Sequence, residues 1–215
     1  MKKTIWIPIV IGLAFGLISG ITFATNLSFT IIGEGGAKSG VGFYTIFWLL
    51  AAAFGGPLAG VISGVVGILI AGFFGIPEIK AVVSDVVTLW SNVIAFGCIA
   101  LPIVSLIYRL IFERLKMPLR LLAWAGCVII GYYAVGLVVN MILQFLFRDF
   151  SPTSKAMFAA FDNQWWQVLP VFFRSFLPQI VADIIITSLT FLGLPERYRR
   201  PLWYERKKKS AEGQA

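Results

Sequence analysis

The chain has no histidine, two cysteines and few charges: Asp, Glu, Lys and Arg make up 13% of its 215 residues. Each scarcity excludes something. Without His, the usual near-neutral acid–base group and commonest metal ligand are missing. Cys98 and Cys127 stand far apart in apolar runs, and two such thiols without His make neither a metal site nor a redox pair. Both are expected as small buried hydrophobes. No metal, cofactor or catalytic residue is therefore expected. A soluble domain carries roughly 25% charged residues, so a surface this poor in charge cannot face water all round. A soluble enzyme, a disordered tail and a nucleic-acid reader are excluded.

What is abundant is apolar sequence: 59% of residues are hydrophobic, and the mean hydropathy is +0.88. A bilayer core needs about 20 apolar residues per helix. Six candidate spans follow, at residues 5–25, 41–54, 58–76, 81–112, 119–147 and 168–194. The first follows Lys2 and Lys3 and is longer than the roughly 7–15-residue core of a cleavable signal, so it reads as a retained span. The second is short and ends at Gly55-Gly56-Pro57; it reads either as a re-entrant segment or as a span extended by the glycine-rich stretch before it. The expected fold is an all-α integral membrane protein, a six-helix bundle over residues 1–195 with a basic tail at 196–215.

The net charge of +8 tests this count. With both termini cytoplasmic, the inner segments hold Lys2 and Lys3, then Arg109, Arg114, Lys116 and Arg120, then the seven basic residues of the tail, from Arg197 to Lys209. That is thirteen of the 18 basic residues. The outer loops hold Lys38, Lys80, Arg148 and Lys155, and Arg174 lies inside the last span. Lys and Arg are retained on the cytoplasmic side, so the excess charge reads as topology and as contact with the lipid bilayer.

Small residues recur at helical spacing. Gly12, Gly16 and Gly20 form a stripe on the first span; Gly56, Gly60, Gly64 and then Gly67 or Ala71 repeat the pattern on the third. Such stripes let another helix approach closely. On the third span, contact inside the bundle is expected. On the first, internal packing and docking to a partner are balanced.

Ionisable and amide groups inside membrane spans are costly and default to functional candidates. The fourth span carries Asp85, Thr88, Ser91 and Asn92 on one face; the fifth carries Asn140 and Gln144, with Tyr133 and Leu137 continuing their stripe. The sixth carries Arg174, and then Ser175, Gln179, Asp183 and Thr187 at steps of four. In the expected topology nearly all of these lie in the outer halves of their helices, and Asp183 is near the midplane. A transmembrane ion path would need polar groups along its full depth, whereas an outward-facing pocket needs them at one level. Asp85, Thr88, Asn92, Asn140, Gln144, Arg174, Gln179 and Asp183 are the expected substrate-binding residues. The alternative for Arg174 is a structural ion pair with Asp183 or Asp85. The first outer loop, 26–40, with Glu34, Gly35 and Gly36, is flexible enough for a lid. Trp165 and Trp166 suit an interfacial belt or stacking on a planar ligand.

The run Phe54-Gly55-Gly56-Pro57-Leu58-Ala59-Gly60, continuing to Gly64 and Gly67, is similar to the F-G-P-x-x-G-x-x-x-G stretch joining the second and third helices in the substrate-binding (S) components of energy-coupling factor vitamin transporters. The six-span pattern and the small-residue first helix resemble that family as well. The resemblance implies a high-affinity binder of a vitamin or related small solute. Its first loop would close over the solute, and it would associate with a transmembrane coupling subunit and two ATPase subunits that supply the energy. The chain itself has no G-x-x-x-x-G-K-[ST] phosphate loop. The family's first helix docks through Ala-x-x-x-Ala; here Gly12, Gly16 and Gly20 occupy that role, or Ala14 with Ile18 one face over. Two other classes stay open: a self-associating channel or scaffold using the glycine stripes, and an intramembrane enzyme built on Asp85 and Asp183.

Overall fold

The computed structural model describes residues 3–32, 38–77, 79 and 85–195. Helix α1 (Lys3–Ala24) leads into two antiparallel strands, β1 (Ser28–Ile32) and β2 (Lys38–Gly42), paired from Ser28↔Gly42 to Ile32↔Lys38. Helices α2 (Tyr44–Gly55) and α3 (Pro57–Phe74) follow. Helix α4 is a rod of three consecutive segments: α-helical Val86–Asn92, π-helical Val93–Ala100 and α-helical Leu101–Arg114. Helix α5 repeats this build with Leu119–Gly126, π-helical Cys127–Ala134 and Val135–Leu146. A short helix α6 (Pro152–Ala159) precedes the long α7 (Trp165–Gly193).

Among the described residues, five helices are long and apolar enough to cross a bilayer: Ile5–Ala24, Pro57–Phe74, Val86–Phe112, Leu119–Leu146 and Trp165–Gly193. The sixth expected span is the 12-residue α2, about 18 Å long at 1.5 Å per residue. Among the described residues the fold is all-α except for the hairpin, and its helices are those of a membrane protein. Their amphipathicity is inverted relative to a soluble bundle. On α7, Gln179, Asp183 and Thr187 are buried, while Val181, Ile185 and Leu189 are exposed at the same spacing. Lipid accepts the apolar face; the polar face must find partners inside the protein.

The glycine stripe of α1 is not open to a partner. Gly12, Gly16 and Gly20 are buried against α3. A Cβ added at Gly12 would lie 2.8 Å from Ile62 Cβ, at Gly16 3.0 Å from Val66 Cβ, and at Gly20 2.7 Å from Ile70 Cβ. The docking role expected of these three residues is corrected accordingly: the helices approach too closely for any side chain, and α3 fills the groove. Ala14 and Ile18, one face over, are exposed. The stripe on α3 packs internally, as expected, since a Cβ at Gly64 would sit 2.7 Å from Gly97 Cα of α4. Cys127 is buried, but Cys98 faces outward, where an apolar thiol meets lipid as readily as core.

The segment between α1 and α2, expected as an outer loop, holds the hairpin. Its proposed lid residues, Glu34, Gly35 and Gly36, lie outside the described residues, as does the 196–215 tail. The segment between α5 and α7 is ordered by α6, whose N-cap Ser151 accepts from Ser154 N at 3.0 Å. Phe158 packs with Met141 and Val168 in a small core. At the opposite end of the bundle Phe191 meets Tyr108, Trp124 and Phe54 with ring centroids 5.1–5.4 Å apart. Trp124 Nε1 donates to Thr187 Oγ1 at 2.8 Å. This end is closed by packed rings.

Candidate functional site

The end of the bundle that carries the hairpin is hollow. A cavity of about 190 Å³ is lined by Phe23 of α1, Tyr44, Thr45 and Trp48 of α2, and Ile68 of α3. Asn92 and Phe96 of α4, Tyr132 and Tyr133 of α5, and Phe176 of α7 complete the wall. Its size exceeds the roughly 150 Å³ of an apolar cavity that takes up benzene. It therefore suits a solute of one or two rings.

Local sequence explains why the wall is aromatic. Tyr44 and Trp48 are one helical turn apart and share a face, with ring centroids at 5.1 Å, and Phe23 stacks on Tyr44 at 4.1 Å. Trp48 Nε1 donates to Ser19 Oγ at 2.7 Å, in a gap that Gly67 leaves: a Cβ there would be 2.5 Å from both atoms. Phe96 packs on the bare backbone of Gly136, where a Cβ would meet the ring at 2.4 Å. Phe96, Tyr132 and Tyr133 all belong to the two π-helical segments. The wider turn shifts side chains around the helix, and such insertions are frequent at functional sites.

Three polar layers support this wall. The first is centred on Asp183, which is 0% exposed. Thr45 Oγ1 donates to its Oδ1 at 2.7 Å, Gln179 Nε2 to the same oxygen at 2.9 Å, and Tyr133 Oη to Oδ2 at 2.5 Å. Gln179 also grips the end of the hairpin. Its Oε1 accepts from Gly42 N at 2.6 Å and its Nε2 donates to Gly42 O at 2.8 Å. The second layer is an amide ladder: Asn140 donates to Asn92, Gln144 to Asn140, and Ser154 Oγ to Gln144. The third is Asp85, the N-cap of α4, which accepts from Thr88 N, Thr88 Oγ1 and Ser151 Oγ at 3.3, 2.9 and 2.5 Å. Partial burial pushes the Asp85 carboxyl up, but the hydrogen bonds from Ser151 and Thr88 outweigh it and hold the carboxyl below its usual range.

Of the eight residues expected from the sequence, Asn92 lines the cavity, and Gln179 and Asp183 stand directly behind it. Asn140 donates to Asn92 and is itself held by Gln144, so the two amides orient Asn92 without lining the cavity. Asp85 and Thr88 form a helix cap tied to α6. Arg174 does not join them: it is exposed on the far side of α7 from Asp183, in an apolar groove with Leu137, Val138 and Leu177. Nine residues separate it from Asp183, which is half a turn out of phase on a helix. Neither ion pair considered for it forms, because neutral donors hold Asp183 and Asp85. The aromatic wall was not among the expected site residues. Phe, Tyr and Trp are unremarkable in apolar spans; the pair Tyr132-Tyr133 and the one-turn spacing of Tyr44 and Trp48 were the available signals. Among the described residues no cluster of His, Cys, Asp and Glu could hold a metal ion. No known protein family, curated protein or solved structure matches the chain.

Proposed function

We propose that this chain is the solute-binding membrane subunit of an energy-coupling-factor-type importer, taking a vitamin or related small molecule from the outer face. The observation that carries this reading is the aromatic cavity at the hairpin end, opposite an end closed by the Tyr108–Trp124–Phe191 cluster. A blind cavity binds; a channel needs a path through both ends. In the proposed topology six segments cross the membrane, α2 completing its crossing with the hairpin stacked on its outer end. Both termini are then cytoplasmic, and the cavity lies on the outer side. The hairpin, fastened by Gln179 to α7, is the root of the lid. Partner ATPases supply the energy through a coupling subunit, which docks on the exposed Ala14–Ile18 face of α1. The scaffold reading loses its interface, because both glycine stripes are spent on internal packing.

The test is extraction of the full chain in mild detergent, followed by mass spectrometry of small molecules released on denaturation. A stoichiometric ring-containing solute is expected from wild type, and its loss from a Trp48→Ala variant that still purifies as a monodisperse species. Recovery of the same solute from both proteins would refute the cavity as the binding site.

A further inference from the structure

The charge balance around the cavity identifies the class of its occupant. Asp183 is fully buried, and all three of its side-chain contacts come from neutral donors: Thr45, Gln179 and Tyr133. Both carboxylate oxygens only accept, the pattern of an ionised group. Buried charges are ordinarily paired or bound to a metal. Arg174, the basic residue of the same helix, points away from it and is exposed. No basic side chain is among the partners of Asp183, and among the described residues no metal-holding cluster exists. The negative charge therefore has no protein counter-ion there.

The cavity begins one side chain away. Thr45 and Tyr133 belong both to its wall and to the Asp183 cluster. The rest of the wall is mostly rings, whose negative faces attract cations. Asn92 accepts from Asn140 and presents its remaining amide edge to the same space. We infer that the occupant is a monocation of one or two rings, whose positive charge lies against the Thr45–Tyr133 wall as the counter-ion of Asp183, with a polar edge on Asn92. This deepens the reading of the cavity as a solute site and rests on it.

Two probes on the same two-ring frame, differing by one N-methyl group, isolate the charge: N-methylquinolinium, a permanent cation, and quinoline, neutral at pH 7.5. Each is dialysed against the full chain in phosphatidylcholine nanodiscs, with empty nanodiscs as the blank. The cation is expected to bind at least tenfold more tightly. Asp183→Asn should abolish that preference, bringing the two affinities within about threefold of each other. Equal or tighter binding of quinoline to wild type overturns the inference and leaves the cavity as a solute site. Binding of neither probe overturns both. Should Asp183→Asn not fold, the wild-type ratio decides alone. Arg174→Ala serves as the charge-removal control and should leave that ratio unchanged.

Discussion

Gly67→Ala adds one methyl group at the contact that holds the cavity wall. The new Cβ would lie 2.5 Å from Ser19 Oγ and 2.5 Å from Trp48 Nε1, atoms joined by a 2.7 Å hydrogen bond. No rotamer change of a flexible side chain relieves this, because Trp48 is 3% exposed and Ser19 0%. Losing the hydrogen bond costs about 1 kcal/mol. Forcing the methyl group into a packed interior costs roughly 1–3 kcal/mol. Replacing Gly by Ala within a helix returns about 1 kcal/mol. The net expectation is a destabilisation of about 1–3 kcal/mol, with the indole displaced toward the cavity. Gly126→Ala is the matched control, since a Cβ there meets nothing within 4 Å; it should stabilise by up to about 1 kcal/mol. Equilibrium unfolding in mixed micelles measures both, and tryptophan emission reports the displacement. If Gly67→Ala is as stable as Gly126→Ala, the close packing of α1, α2 and α3 described above is wrong.

Other perturbations separate the elements. Gly16→Leu, which drives a side chain into Ser63 and Val66, should abolish folding, whereas Ala14→Leu on the exposed face should preserve folding and solute binding while weakening association with a coupling subunit by pull-down. Arg174→Ala should leave solute affinity within twofold by equilibrium dialysis, because the side chain faces away from the cavity. The Asp85 carboxyl is held below its usual range, so its native contacts add stability that is fully present above its unfolded pKa of roughly 3.9. That contribution is lost as pH falls through the lower folded value. The stability gap between wild type and Asp85→Asn should therefore be constant from pH 5 to 8 and close below about pH 4 in pH-dependent melting curves.

Much of the scaffold was legible because lipid imposes a simple rule. A helix that must satisfy its own backbone in hydrocarbon needs a long apolar run, and such runs can be read residue by residue. The buried polar stripe of α7 was readable for the same reason, since Gln179, Asp183 and Thr187 recur at one-turn spacing. The hairpin was not, because glycine-rich sequence around residues 33–40 reads as loop until its strands are paired. Arg174 misled because one-dimensional proximity to Gln179 ignores the half turn that separates it from Asp183.

By itself, then, the sequence determined the medium, the approximate helices and the few polar residues that lipid would not tolerate. Only the tertiary structure decided which surfaces these residues share. The α1 glycines turned inward to α3 instead of outward to a partner, because close backbone approach depends on which helix lies opposite. The cavity wall came from five helices, α1 contributing through its C-terminal end, and their aromatic residues carry no mark in an apolar sequence and acquire a role only where packing leaves space between them.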